Sequence, residues 1–324
     1  MPAPKFTPTT QPKKPQKPSI NLVWSRRKKH IQDKPVERCP YCSSKDIVKR
    51  GWRRKKHEAV QLHKCKNCDR TFTAQIVKGK HHPLKIIFEG ITLYNLGYTE
   101  AQACRLLKDK YGLQIKQPTV STWITEFLPL CRYSRLRPEA VKHYSPKQVI
   151  QSVTLRHKQI YHYRYHQAKL DFLINSREFA KFKNLKTLLE SVKKDCPHAL
   201  FQKGERSSQA KAEIDLHEVQ VNHIENNYAT RLARLLLQAV GDNKLRHDAL
   251  QQFMLANDSV TIAMEVPIHL KPSDLEHYAE KLRFQIPFKL KSTLTGHIDL
   301  LQLRNGSIHI LDFKPNAAKV TMTT

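Results

Sequence analysis

Two close cysteine pairs govern what the first part of this chain can fold into. Cys39-Pro-Tyr-Cys42 and Cys65-Lys-Asn-Cys68 are separated by 22 residues. Each C-x-x-C turn aims two thiolates at one point. Two such turns supply the corners of a tetrahedron, which suits Zn²⁺ and closes the site to substrate. A unit this short cannot fold on apolar burial alone, so metal binding must supply much of its folding free energy. The zinc is therefore expected to be structural, with redox or iron–sulfur chemistry as the alternatives. His57 and His63 fall between the pairs, but four thiolates already satisfy the metal. Cys104, Cys131 and Cys196 stand alone and read as small buried residues rather than ligands. Seven cysteines without a disulfide pattern fit a reducing cytoplasm.

The formal net charge is +29, from 57 Lys and Arg against 28 Asp and Glu. The excess is uneven: residues 1–80 carry 22 basic and 5 acidic side chains. So dense a positive field favours a polyanion, because binding releases condensed counterions. DNA is the expected partner, and a nucleoid-associated cytoplasmic location follows. Residues 1–36 are rich in Pro, Lys, Thr and Gln. They are expected to form a disordered basic arm, with Arg26 and Arg27 along phosphates. No secretory leader and no apolar run of spanning length is read in the sequence.

Residues 82–128 read as three short helices. Pro83 starts the first, which carries Leu84, Ile87, Phe88, Ile91 and Tyr94 and ends at Gly97. Thr99-Glu-Ala-Gln102 is a capping-box sequence for the second, which Gly112 stops. Pro118 opens the third, with Val120, Trp123, Ile124 and Phe127 on its apolar face. Such a trio reads as a helix-turn-helix. Lys116, Gln117, Thr119, Ser121 and Thr122, at the start of the third helix, are the candidate DNA contacts.

The order Cys39-Pro-x-Cys42, Ile47-Val-Lys-Arg-Gly51, Gln61-x-x-x-Cys65-Lys-x-Cys68-x-Arg70-x-Phe72 resembles the zinc ribbon of insertion-sequence transposases. The resemblance implies knuckles capping a small β-sheet over residues 37–76, with Phe72 packed behind the second. Leu96-Gly-Tyr-Thr-Glu100 and Pro118-Thr-Val-Ser-Thr-Trp-Ile124 are similar to the helix-turn-helix of the same family. That family's RNase-H-like acidic core cannot be assigned in the remaining chain.

The C-terminal third carries a different pattern. Ile298-Asp-Leu-Leu-Gln-Leu303 and Ile308-His-Ile-Leu-Asp-Phe313 flank Asn305-Gly306, a strong signal for a two-residue hairpin turn. Counting outward, Arg304 faces Ser307, Leu303 faces Ile308, Leu301 faces Ile310 and Asp299 faces Asp312. Asp299, Asp312 and Lys314 then share a face. Facing carboxylates repel by up to about 1 kcal/mol when exposed and more when buried. A divalent cation between them removes the conflict. Lys314 could hold a water beside it or offset charge on a phosphate.

Gly296-His-Ile-Asp299 followed by Asp312-Phe-Lys314 resembles the PD-(D/E)xK nuclease superfamily, most closely its RecB-type branch. Ile262-Ala-Met-Glu265-Val-Pro-Ile268 is similar to that branch's first strand. The resemblance implies an α/β restriction-endonuclease-like domain over residues 213–324. Mg²⁺ or Mn²⁺ would be held by Asp299, Asp312 and the Phe313 carbonyl, with Glu265 as accessory acid and Lys314 as catalytic lysine. A helical histidine near the metal is also implied, with His223 the candidate and His217 a second choice. Asn222-His-Ile-Glu225 also reads as a helix cap, which accounts for Glu225 without catalysis. RecB-type members continue past the lysine with a Q-x-x-x-Y helix. Here ten residues follow, so the expectation is a truncated chain, a rudimentary fold, or a core completed by a second copy or a partner protein.

Residues 129–212 are expected to connect the two halves. Arg156 to Leu170 interleaves bases with Tyr161, Tyr163 and Tyr165, which reads as a joining helix or strand, or as a base-stacking surface. The combined expectation is a multidomain, DNA-targeted, metal-dependent deoxyribonuclease of mobile-element or defence type. A non-enzymatic DNA-binding regulator with an inactive nuclease-like domain, and a transposase, are the alternatives.

Overall fold

A computed structural model describes residues 36, 38–54, 59–73, 80–207, 209, 227–237, 239–240, 243–282, 290 and 292–314. Arg26, Arg27, His217 and His223 lie outside the described residues.

The cysteine unit is a three-stranded antiparallel sheet, β1 (Ile47–Arg54), β2 (Ala59–Cys65) and β3 (Thr71–Thr73). Gly51 sits at φ +74° where the β1–β2 register shifts between Lys49 and Trp52, and the Gln61 side-chain amide donates to its carbonyl at 2.6 Å. A left-handed residue at a bulge is the natural use of glycine. Cys39, Cys65 and Phe72 form a small core of their own, so Phe72 does pack behind the knuckles.

Three helices follow: α1 (Leu84–Asn95), α2 (Glu100–Tyr111) and α3 (Gln117–Phe127). Both capping-box hydrogen bonds between Thr99 and Gln102 are formed, and Gly112 closes α2 at φ +68°. Val120, Trp123 and Phe127 are buried, as the apolar spacing of α3 requires.

The rest is one α/β unit. Its elements are α4 (Arg137–His143), β4 (Ile150–His157), β5 (Gln159–His166), α5 (Gln167–Ile174), α6 (Lys183–Asp195), α7 (His198–Lys203) and β6 (Glu205–Arg206). They continue with α8 (Tyr228–Leu237), α9 (Asn243–Asn257), β7 (Thr261–Leu270), α10 (Pro272–Leu282), β8 (Leu294–Arg304) and β9 (Ser307–Leu311). The sheet runs β4-β5-β7-β8-β6, with β9 also paired to β8. Among the described residues all pairings of this sheet are antiparallel except β6 with β8. The hairpin register is the expected one, Arg304 to Ser307, Leu303 to Ile308 and Leu301 to Ile310. Asn305 and Gly306 take φ +51° and +66°, the two left-handed residues of a type I′ turn.

Two expectations about organisation need correcting. Residues 129–212 are no mere connector, because β4 and β5 are strands of the same sheet as β7 and β8. The β4–β5 turn is tight, with Lys158 at φ +58°, and eight register pairs zip the hairpin. Tyr163 and Tyr165 are buried there, and the Tyr163 hydroxyl donates to the Leu189 carbonyl at 2.6 Å. Nor is the three-helix unit separate. One core runs from Phe88, Ile91 and Trp123 through Leu236, Leu250 and Phe253 of α8 and α9 to Met264 and Leu300 of the sheet. The Phe88 and Phe253 rings meet at 5.1 Å. Asn95 donates to Asn257 at 2.9 Å, and Asn257 donates to Thr92 at 2.9 Å, all three buried. A second core packs Leu170, Ile174, Leu189 and Val192 of α5 and α6 on Ile262, Val266, Leu301 and Leu303.

Candidate functional site

The cysteine cluster is built by two matching turns. Cys39 N–H donates to the Ser44 carbonyl at 2.8 Å, and Cys65 N–H to the Arg70 carbonyl at 3.0 Å. The residue after each knuckle, Ser43 and Asp69, takes a left-handed φ of +59° and +56°. The same backbone turn, made twice, brings the thiols together. Cys39 to Cys68 and Cys42 to Cys65 are each 3.6 Å between sulfurs. With Zn–S bonds of about 2.3 Å, a tetrahedron has S–S edges of about 3.8 Å. The four cysteines therefore fit Zn²⁺ with almost no movement, and all four ligand atoms lie within 4.8 Å of one another. A backbone hydrogen bond at Ser44 holds the Cys42 thiol below its ordinary range.

The second centre lies where β7, β8, the end of β9 and α9 meet. Met264 pairs with Leu300 and Val266 with Ile298, so Glu265 sits opposite Asp299. Glu265 takes φ +53°, a left-handed conformation in mid-strand. Its Oε1 accepts from Gln251 Nε2 of α9 at 2.7 Å. Four residues earlier on α9, His247 Nε2 lies 2.8 Å from Asp299 Oδ2, and its Nδ1 lies 3.9 Å from Glu265 Oε1. His247, Glu265 and Asp299 each offer a ligand atom within 4.8 Å of the others. The Phe313 amide donates to Asp299 Oδ2 at 3.0 Å, so Phe313 meets the centre through its N–H. Asp312 Oδ2 is 2.9 Å from Lys314 Nζ.

The electrostatics agree with the geometry. Burial works to raise the Asp299 carboxyl, but hydrogen bonds from His247 and the Phe313 amide outweigh it and hold it at about 2. The bond to Asp299 raises the His247 ring, against its partial burial. Burial raises the Glu265 carboxyl, opposed by Gln251 and His247. The two acids of this site are thus pushed in opposite directions.

Glu265, Asp299, Asp312 and Lys314 all line one cavity of about 520 Å³, with His247, Arg206, Tyr161, His157 and His297 on its other walls. Sequence reading missed His247. Its signal was a polar pair at i, i+4, His247 and Gln251, on a helix otherwise packed with Ala249, Leu250, Phe253 and Met254. Such a pair points inward only once the helix is known to pack on the strands.

Two surfaces are candidates for nucleic acid. At the start of α3, Lys116, Gln117 and Thr122 are exposed, and Thr119 and Ser121 half-buried. Thr122 Oγ1 donates back to the Pro118 carbonyl at 2.8 Å. On the cysteine unit, every residue of β1 after Ile47 is exposed, which presents Lys49, Arg50, Trp52, Arg53 and Arg54.

Compared with protein-family models, with curated proteins and with solved structures, the chain gives no match. It is a mixed α/β multidomain protein with antiparallel sheets and a four-cysteine cluster fit for zinc. Among the described residues no helix is long and apolar enough to cross a membrane.

Proposed function

We propose that this chain is a DNA-binding, divalent-metal-dependent deoxyribonuclease of PD-(D/E)xK type, with a zinc ribbon and helix-turn-helix as its targeting modules. The observation that carries the reading is the convergence of His247, Glu265 and Asp299 on one point, with Asp312 and Lys314 on the same cavity. Three elements, α9, β7 and β8, deliver these groups. Their partly buried acids are compensated by one imidazole, a donor set that fits a divalent cation.

Asp299, Asp312 and Glu265 would hold the ion through oxygen and His247 through nitrogen, and the Phe313 amide would keep Asp299 in place. A nitrogen ligand favours Mn²⁺ over the harder Mg²⁺. The bound ion supplies an activated water and positive charge on the scissile phosphate. Gln251 holds Glu265 and donates to the Asp299 carbonyl at 3.2 Å, so it orients two ligands at once. Lys314, on the exposed rim, would offset charge as the leaving oxygen departs. The basic face of β1 and the start of α3 would hold the duplex. A transposase-type mobile element is the setting in which such a ribbon and helix-turn-helix belong.

The test is cleavage of plasmid and linear DNA with Mg²⁺ and with Mn²⁺. Asp299→Ala and Asp312→Ala should abolish cleavage and leave DNA binding nearly intact. Lys314→Ala should slow it while metal still binds. Cleavage that survives Asp312→Ala would assign the activity to another site. A wild-type chain that binds DNA but never cuts would make this a regulator that has kept the acids without the chemistry.

A further inference from the structure

Beyond the acid cluster, a second group of metal-binding side chains stands beside the same cavity. His157 is the last residue of β4, and only 2% of it is exposed. Cys196-Pro197-His198 is the junction between α6 and α7. Pro197 cannot continue α6 because it has no N–H to give. The chain turns there, and the His198 amide donates to the Cys196 carbonyl at 2.8 Å. This tight turn aims both side chains at the end of β4. Cys196 Sγ lies 3.7 Å from His157 Nε2, and His198 Nδ1 lies 2.9 Å from the same nitrogen. One atom from each residue falls within 4.8 Å of the other two.

We infer that His157, Cys196 and His198 form a second zinc site. With Zn–N bonds near 2.05 Å and a Zn–S bond near 2.3 Å, a tetrahedral centre has N–N edges of about 3.3 Å and N–S edges of about 3.6 Å. The N–S separation already matches. The N–N separation is short by a few tenths of an ångström, which rotation of the exposed His198 ring makes up. One thiolate with two imidazoles is a borderline-soft set that selects Zn²⁺ over Mg²⁺ or Ca²⁺. Three protein ligands leave a fourth position for water.

The outer partner is in place. A zinc-bound histidine usually engages its other ring nitrogen in a hydrogen bond that fixes tautomer and orientation. His157 Nδ1 is 3.0 Å from His297 Nε2, and the His297 ring stacks on Tyr161 at 3.5 Å. Phe201 stacks on His157 at 4.0 Å. The ring is thus clamped with Nε2 toward the thiol. Zinc here would tie the α6–α7 junction to the end of β4 and fix His157 and His297 as a wall of the cavity. His297 is two residues from Asp299, so the site would stiffen the strand that carries it. The inference stands whether or not the acid cluster cuts DNA.

The experiment counts zinc per chain in the full-length protein by elemental mass spectrometry after gel filtration. A His247→Ala background is used so that zinc at the acid cluster is not counted. Cys196→Ala and His198→Ala should each lose one zinc per chain. His297→Ala should keep the metal but release it to a chelator with ten- to hundred-fold weaker retention. An unchanged zinc count in both Cys196→Ala and His198→Ala overturns the proposal and leaves a hydrogen-bonded chain of imidazoles. If those variants fail to fold, X-ray absorption on the His247→Ala parent decides. Imidazole scattering around zinc is expected, and a shell of sulfur alone overturns the site.

Discussion

Glu265 occupies a backbone conformation that costs a non-glycine residue about 1–3 kcal/mol, and it does so in the middle of a paired strand. The ladder on either side and the bond from Gln251 hold it there. Strain at a candidate ligand is what a site pre-organised for metal would carry. Gln251→Ala should therefore weaken Mn²⁺ binding ten- to hundred-fold without unfolding the chain, as titration calorimetry would show. Protons compete with the metal at His247. The ring's pKa is raised by Asp299, so in the metal-free protein this ion pair contributes fully below the unfolded value of about 6.5. Its contribution is lost as pH rises through the higher folded value. Mn²⁺ needs the neutral ring, so affinity should climb across that same rise. Asp299→Asn should lower the His247 titration, which NMR can follow. Elsewhere, Lys169 is fully buried and donates to Asp258 at 3.3 Å and to the Leu255 and Thr261 carbonyls at 2.6 and 3.1 Å. Lys169→Met leaves Asp258 buried without its cation, and denaturant unfolding should show a loss of about 3–5 kcal/mol.

At the scale of elements, α2 and β1 make the sharpest contrast. The capping box of α2 is a local device, formed by two residues three apart. Thr99→Ala should cost about 1 kcal/mol, read as a lower thermal midpoint. Strand β1 is a solvent-exposed edge whose charges serve no packing purpose. An exposed basic edge resists edge-to-edge pairing, and it also fits phosphates. Arg53→Ala with Arg54→Ala should weaken DNA binding on all sequences alike. The slope of log affinity against log salt should fall by about 1 for each phosphate that is no longer neutralised. Affinity that is unchanged would remove β1 from the interface.

The whole molecule divides differently from its sequence motifs. The cysteine unit has its own small core around Cys39, Cys65 and Phe72. Chelation should unfold it alone, with the far-ultraviolet signal of the α/β unit retained. The three-helix unit, by contrast, shares its core with α8, α9 and the sheet. Cutting the chain after Leu128 would expose Phe253 on one piece and Phe88 on the other, with the apolar surface around them. Neither piece should stay monomeric, which light scattering would report. A substantial fixed surface of this kind also means that α3 lies in a set geometry to the α9–β7–β8 cavity.

Much of this was written locally in the chain. The zinc knuckles, the capping box, the Gly112 stop and the Asn305-Gly306 turn depend on residues a few positions apart. Backbone sterics and short-range hydrogen bonds decide such features before any tertiary packing forms. The hairpin register carried Asp299, Asp312 and Lys314 to one cavity for the same reason: a two-residue turn allows one pairing. His247 was not legible, because it reaches Asp299 across 52 residues through the packing of a helix on a sheet. Nor was the cluster of His157, Cys196 and His198, where Cys196 had looked solitary. Nor was the membership of β4 and β5 in the sheet, or the fusion of the three-helix unit to α9. Each of these depends on which apolar surfaces meet. Burial is non-directional and rewards any partner of the right shape, so only the assembled tertiary structure chooses among them.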